Sequence, residues 1–138
     1  MSNVVDLFAA HATDASAEKA GVLTQLPDCG DTLFRIARAN TIKYAELLQK
    51  RVKAHNAVLK SRGEVAAELG GKIMAEVMSK TILLGWEGEI SFKGEKHVYS
   101  REVAQELLMM EEFRKKVMAF AEDAQEYKLV KEEEEEKN

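Results

Sequence analysis

Residues 65–84 read VAAELGGKIMAEVMSKTILL, and this stretch decides the fold. Large apolar side chains recur in it every three or four positions, which is the spacing of one face of an α-helix. The stripe comprises Val65, Leu69, Ile73, Val77, Thr81 and Leu84, and it is broadened by Met74, Met78 and Ile82. We expect this helix to end at Gly85. Gly70 and Gly71 interrupt it, and because each glycine costs up to about 1 kcal/mol against alanine, they predict a kink or a close helix contact.

Amphipathic patterns on both sides predict further helices. Asn40 or Thr41 can cap a helix of about 41–60, because either side chain can accept a hydrogen bond from a free N–H group of the first turn. Ser100 is expected to cap another helix, and a strong amphipathic helix of about 110–128 follows it. The apolar face of this last helix comprises Phe113, Val117, Phe120, Ala124 and Tyr127.

Two short β-hairpins are predicted between these helices. The first joins apolar runs near residues 22–26 and 33–36 through a turn at 27–31, which is dense in turn-forming residues. The second covers about 89–99 and turns at residues 93–95. The sequence therefore predicts an α+β fold that is mainly α-helical, with helices and one or two small β-hairpins. From the apolar patterns we expect Trp86, Phe113, Val117 and Phe120 to lie in the core.

The length of 138 residues predicts about one domain. We expect a weakly ordered segment over residues 1–20, a single domain over 21–130 and an acidic, disordered tail over 131–138. No apolar run approaches the ~20 residues of a membrane helix. Residues 1–7 have no basic segment followed by an apolar run, so no secretory signal is expected. A single cysteine, Cys29, excludes an internal disulfide framework and favours the cytoplasm.

Charge is unevenly distributed along the chain. The net charge is -4, yet residues 35–62 carry eight basic side chains against one acidic residue, Glu46. This basic block is open to three interpretations: a solvated polar face, a surface for an acidic protein, or a surface for nucleic acid. Nucleic acid is the least favoured, because such binders usually have a pI above about 9 and this chain has a pI near 5.5. Methionines fill irregular cores, which is the favoured interpretation here, but they also occur on adaptable binding surfaces. The candidate partner-binding or oligomer surface comprises Arg35, Arg38, Lys43, Lys50, Arg51, Lys53, Met74 and Met78.

The sequence contains no pattern that predicts catalysis. His11, His55 and His97 lie far apart and have no cysteine or aspartate at a metal-ligand spacing. The two glycine-rich phosphate-binding motifs, GxxxxGK[ST] and GxGxxG, do not occur in the sequence. We therefore expect a protein that is not an enzyme and has no cofactor, no metal and no catalytic residues.

The order of several short motifs resembles that of the tail assembly chaperones of long-tailed (siphovirus-type) bacteriophages. These motifs are Ala17-Glu18-Lys19-x-Gly21-Val22, Phe34-Arg35-Ile36-Ala37-Arg38, Lys43-Tyr44, Gly85-Trp86-Glu87-Gly88, Val98-Tyr99-Ser100, and Leu107-Leu108 with Phe113. Together they span about residues 17–120.

The resemblance implies a chaperone-like domain over 21–130 that acts in the cytoplasm of the infected bacterial host. Such proteins coat the tape-measure protein, recruit tail-tube subunits, self-associate and are absent from the finished virion. The resemblance thus implies a homo-oligomer without a membrane partner. The alternative is a small regulatory or nucleic-acid-associated protein that uses the basic block 35–62.

The resemblance also implies a longer product made by ribosomal frameshifting, which would recruit the tail-tube protein. Glu136-Lys137-Asn138 can be encoded as GAA AAA AAC, and the heptamer A-AAA-AAC lets both bound tRNAs re-pair one base back. A solubilising acidic run is the alternative interpretation of this tail.

Overall fold

The computed structural model describes residues 4–129. The described chain forms seven α-helices, five short strands and a final 3₁₀ turn, which confirms the mainly helical α+β prediction. The helices are α1 Leu7–His11, α2 Ala15–Ala20, α3 Ile42–Ala54, α4 Asn56–Lys60, α5 Glu64–Thr81, α6 Arg101–Met109 and α7 Glu111–Glu122, and the turn is Ala124–Tyr127. The strands are β1 Val22–Thr24, β2 Phe34–Ile36, β3 Leu83–Trp86, β4 Ile90–Phe92 and β5 Glu95–His97.

Helix α5 is the central element, and it contacts α3, α4 and α6. It runs without a break through Gly70 and Gly71. A Cβ atom at Gly71 would lie 3.5 Å from the Arg114 guanidinium of α7, whereas Gly70 faces open space. The glycine pair therefore does not interrupt α5, and only Gly71 has a neighbour, the end of the flexible Arg114 side chain at ordinary contact distance.

The first predicted hairpin is confirmed, because β1 and β2 pair antiparallel with Val22 opposite Ile36. A third strand, β3, pairs antiparallel with the other edge of β2. The prediction that the α5 helix continues to Gly85 is therefore wrong. Helix α5 ends at Thr81, since the buried strand β2 needs partners for its backbone N–H and C=O groups on both edges, and residues 83–86 supply them on one side.

The second predicted hairpin is also confirmed and consists of β4 and β5. Its turn residues Lys93 and Gly94 have φ angles of 54° and 81°. Two consecutive positive φ angles are typical of the tight turn whose twist matches a two-stranded hairpin. The Trp86 indole N–H donates a hydrogen bond to the His97 carbonyl at 3.2 Å and so fixes this hairpin to β3.

Two predicted helices are shorter than expected. The predicted helix 41–60 is divided at His55 into α3 and α4, although Thr41 caps α3 as expected by accepting a hydrogen bond from the Tyr44 N–H. The predicted helix 110–128 ends at Glu122. Asp123 adopts an extended conformation there, and its carboxylate accepts a hydrogen bond from the Gln125 N–H, which starts the final turn. Ser100 caps α6 as expected.

The core lies between the three-stranded sheet and helices α5, α6 and α7. The Phe34 ring packs edge-on against Trp86 and Phe113, with centroids 6.3 and 5.8 Å apart. Val117 is fully buried. Phe120 differs from the expectation, because it is only half-buried at the margin of the core, where its ring packs against Tyr127.

The amino-terminal segment forms two short helices capped by Asp6 and Asp14. The division into segments 1–20, 21–130 and 131–138 stays a prediction, and the acidic tail lies outside the described residues. No helix between residues 4 and 129 is both long and apolar enough to cross a bilayer.

Candidate partner-binding groove

A groove of about 530 Å³ opens between the loop 28–32, the β4–β5 hairpin and the junction of α6 with α7. The buried side chains of Phe34, Leu107 and Phe113 form its floor. Ile90 and Phe92 of β4 form one wall, and further lining comes from Cys29 and Met110. An apolar groove with a few polar groups at its margin is the usual form of a site that takes apolar side chains of a partner.

Arg114 holds the α6–α7 side of the groove in place. Its guanidinium donates a hydrogen bond to the Leu108 carbonyl at 2.8 Å, at the carboxyl end of α6. A cation at this end of a helix satisfies a free carbonyl and interacts favourably with the helix dipole. The chain therefore turns sharply at Met110, whose side chain is left 43% exposed at the groove.

The rim of the groove is acidic. Asp28, Glu89 and Glu112 line it together with one basic residue, Lys116. Lys116 lies 3.6 Å from Asp28 and neutralises part of this charge. The rim therefore favours a partner with basic side chains.

Cys29 lies in the groove as a protonated thiol. Burial raises its pKa, the charge of Asp28 raises it further, and the charge of Lys116 lowers it. The thiolate is the nucleophilic form of cysteine, so this environment disfavours a nucleophilic role at neutral pH.

Part of the predicted basic surface lies on the outer side of α3. We define the basic face of α3 as Ile42, Lys43, Leu47, Lys50 and Lys53. Its three lysines are exposed, and Ile42 is 75% exposed. An open depression of about 520 Å³ runs between Ile42 and Lys50 and includes Glu46. The face thus combines positive charge with apolar side chains that no other described element covers fully.

The predicted arginines Arg35 and Arg38 instead make contacts within the fold. Arg38 forms an ion pair with Glu18 of α2, and Asn40 donates a second hydrogen bond to the same carboxylate at 3.1 Å. Arg35 donates a hydrogen bond to the Gly21 carbonyl at 3.2 Å. These arginines join α2 to the sheet and are poorly placed to receive a partner.

Arg51 has a similar internal role between α3 and α5. Its guanidinium lies 2.9 Å from the Glu76 carboxylate, which Lys80 also approaches at 2.9 Å. Hydrogen bonds from Lys80 and Arg51 lower the pKa of Glu76. Of the two predicted methionines, Met78 is fully buried and Met74 is partly exposed while packing against the core.

A second exposed apolar surface lies at the amino-terminal end. We define the N-terminal apolar patch as Val5, Leu7, Phe8 and Leu129, whose exposed fractions are 60%, 69%, 70% and 49%. The Leu129 N–H donates a hydrogen bond to the Ala12 carbonyl at 3.1 Å, which places the backbone of Leu129 beside the end of α1. A group of exposed large apolar side chains is typical of an interaction site.

No set of three metal-ligating side chains comes together among residues 4–129.

Comparison with known protein families matches residues 38–138 to the YdaY prophage protein family. The chain belongs to this family. The match begins at Arg38 and extends over α3–α7, so it includes the basic face of α3 and most of the groove. Comparisons with curated proteins and with solved structures returned no match.

Membership of the YdaY prophage family confirms the phage origin that the sequence motifs indicated. The groove itself was not predicted from the sequence. Its lining comes from three separated segments, and no local pattern indicates that Phe34, Phe92 and Phe113 meet in one cleft.

Proposed function

We propose that this prophage protein is a tail assembly chaperone that coats the tape-measure protein and is not an enzyme. Phage origin and the order of the sequence motifs support this role. The observation that carries it is the N-terminal apolar patch, because a chaperone needs exposed apolar side chains to cover those of its client.

The small size of the patch suits a repeated contact. A patch of four apolar side chains gives weak binding by itself, but linked copies convert each further contact into an intramolecular one. A long helical tape-measure protein offers the same kind of apolar surface many times along its length. Many copies of the chaperone would therefore bind it firmly while each single contact remains reversible.

The proposal places the protein in the cytoplasm of the infected host and outside the finished virion. Recruitment of the tail-tube protein is assigned to a longer, frameshifted form. The residues that bear on the frameshift, 136–138, lie outside the described part of the chain.

Co-expression with a tape-measure segment of the same prophage tests the proposal. We expect the wild-type protein to keep that segment in the soluble fraction. The double variant Leu7→Glu/Phe8→Glu should lose this ability while its unfolding midpoint stays unchanged, since both side chains are exposed. Val65→Glu is the matched control, because Val65 is 68% exposed on α5 and lies outside the patch.

The possible results of this experiment test the chaperone role and its assignment to the N-terminal apolar patch separately. A tape-measure segment that aggregates equally with and without the wild-type protein overturns the proposed function. A segment that the Leu7→Glu/Phe8→Glu variant still keeps soluble overturns the assignment to the patch and leaves the chaperone role in place.

A further inference from the structure

We propose that the basic face of α3 of one copy docks in the groove of a second copy, so that the chains assemble head to tail. Self-association is already implied by the resemblance; the inference adds which two surfaces meet, and both of them are distinct from the N-terminal apolar patch. It identifies the occupant of the groove as Ile42 and Leu47 of a second copy, flanked by the lysines of the same helix.

The two surfaces complement each other in charge and in polarity. The groove has an apolar floor and a rim with three acidic residues, Asp28, Glu89 and Glu112, against one basic residue, Lys116. The basic face of α3 has apolar Ile42 and Leu47 beside Lys43 and Lys50, and Glu46 is the one acidic side chain of the depression between them. Contact between them would bury apolar side chains centrally and place opposite charges at the margin, which is the usual organisation of a specific interface.

Neither surface fits a copy of itself. Two basic faces packed together would bring the three lysines of α3 against their equivalents. Two grooves packed together would oppose the acidic residues of both rims. Like charges placed across an interface repel each other, so charge favours the heterologous contact over a two-fold one.

One molecule can use both surfaces at once. The basic face of α3 and the residues lining the groove have no member in common. A heterologous contact repeated in this way gives a ring if the rotation closes and an open helical chain if it does not. Either form presents the N-terminal apolar patch once per copy.

Charge reversal followed by mixing tests the contact. The face variant is Lys43→Glu/Lys50→Glu, and the groove variant is Glu89→Lys/Glu112→Lys. These side chains are exposed; Glu112 has only a 3.7 Å contact with exposed Lys115, so neither variant should unfold the protein. Denaturant unfolding followed by circular dichroism checks this for each variant.

Sedimentation velocity at micromolar concentration then measures the mass. We expect the wild-type protein to sediment above the chain mass of 15.4 kDa and each variant alone to sediment as a monomer. An equimolar mixture of the two variants should assemble again with alternating copies. The reversed face of one variant then meets the reversed groove of the other, and the two wild-type surfaces meet each other. Lys60→Glu/Lys72→Glu is the control, since it makes the same change of charge outside both surfaces and should assemble like the wild type.

Three results would overturn the inference. They are a wild-type protein that stays at 15.4 kDa over the whole concentration range, a mixture that remains monomeric, and a control variant that dissociates as well. A monomeric wild type that binds random duplex DNA with a steep salt dependence through Lys43 and Lys50 would make the basic face a nucleic-acid surface instead. The tape-measure assay depends on Leu7 and Phe8, so each proposal can fail without the other.

Discussion

Glu18 shows how one buried carboxylate joins two parts of the chain. It lies on α2, is 8% exposed, and accepts hydrogen bonds from Arg38 and Asn40 beyond the end of β2. Burial raises the pKa of Glu18, but hydrogen bonds from Arg38, Thr13 and Asn40 outweigh that effect and leave the pKa below its ordinary value of 4.5. The folded state therefore holds this carboxylate in its charged form.

Glu18→Gln should lower the free energy of unfolding by about 1–3 kcal/mol at neutral pH, because partly buried Arg38 loses its charged partner. A lowered folded pKa gives stability that is present above the unfolded pKa and is lost as the pH falls through the folded pKa. The variant should therefore lose less stability than the wild type when the pH falls below about 4.5. Urea unfolding at pH 7 and pH 4 measures both effects.

Glu106→Gln is the matched control for this prediction, since Glu106 is exposed on α6. It should unfold like the wild type at both pH values. Equal pH dependence in Glu18→Gln and the wild type would contradict the role assigned to the carboxylate.

Among the elements, the hairpins could be predicted and β3 could not. Local turn residues define both hairpins. In the second hairpin the turn is formed by Lys93 and Gly94, and both have positive φ angles. Leu83 and Leu84 instead continue the apolar stripe of α5, and a short apolar run fits a helix or a buried strand equally well. The strand is fixed by pairing with Phe34–Ile36, nearly fifty positions earlier, which no local pattern contains.

The same limit applies to the binding surfaces. The sequence predicted a basic block, and the lysines of α3 are indeed exposed. Arg38 and Arg51 could not be distinguished from them, because their partners Glu18 and Glu76 are 20 and 25 positions away. Long-range ion pairs thus decide which charges of the block remain available to a partner.

Helix α7 provides a test of burial along one face. Phe113→Ala should lower the free energy of unfolding by about 3–5 kcal/mol, because the ring is 9% exposed and packs against Phe34. Phe120→Ala should cost less, since that ring is half-buried. Denaturant midpoints of the two variants measure the difference, and an equal or larger loss for Phe120→Ala would contradict the packing described for α7.

At the scale of the whole molecule, both ends of the described chain meet beside the sheet. The Asp14 N–H donates a hydrogen bond to the Tyr127 carbonyl at 2.8 Å, and Thr13 pairs with Lys128. The Tyr127 side chain is fully buried, and its hydroxyl donates a hydrogen bond to the Ile36 carbonyl at 2.9 Å. Tyr127 therefore connects the carboxyl-terminal turn to the central strand β2.

Tyr127→Phe should lower the free energy of unfolding by about 1–3 kcal/mol, because the ring still packs while the buried Ile36 carbonyl loses its donor. Burial raises the pKa of Tyr127, so its contribution is present below the unfolded value near 10 and is lost as the pH rises further. The variant should therefore be less sensitive to alkaline pH in thermal unfolding. An unchanged midpoint at neutral pH would show that the hydrogen bond does not contribute.

Tyr127 and Ile36 are 91 positions apart, so during protein synthesis Ile36 is made well before the side chain that it contacts. At roughly 5–20 residues per second, a ribosome takes about 5–18 s to travel from one residue to the other. For that time the nascent chain carries β1 and β2 without the side chain that completes their packing. The edge strand β1 has only three residues, so the folded sheet presents few free backbone groups to another chain, and short edges of this kind disfavour pairing between molecules.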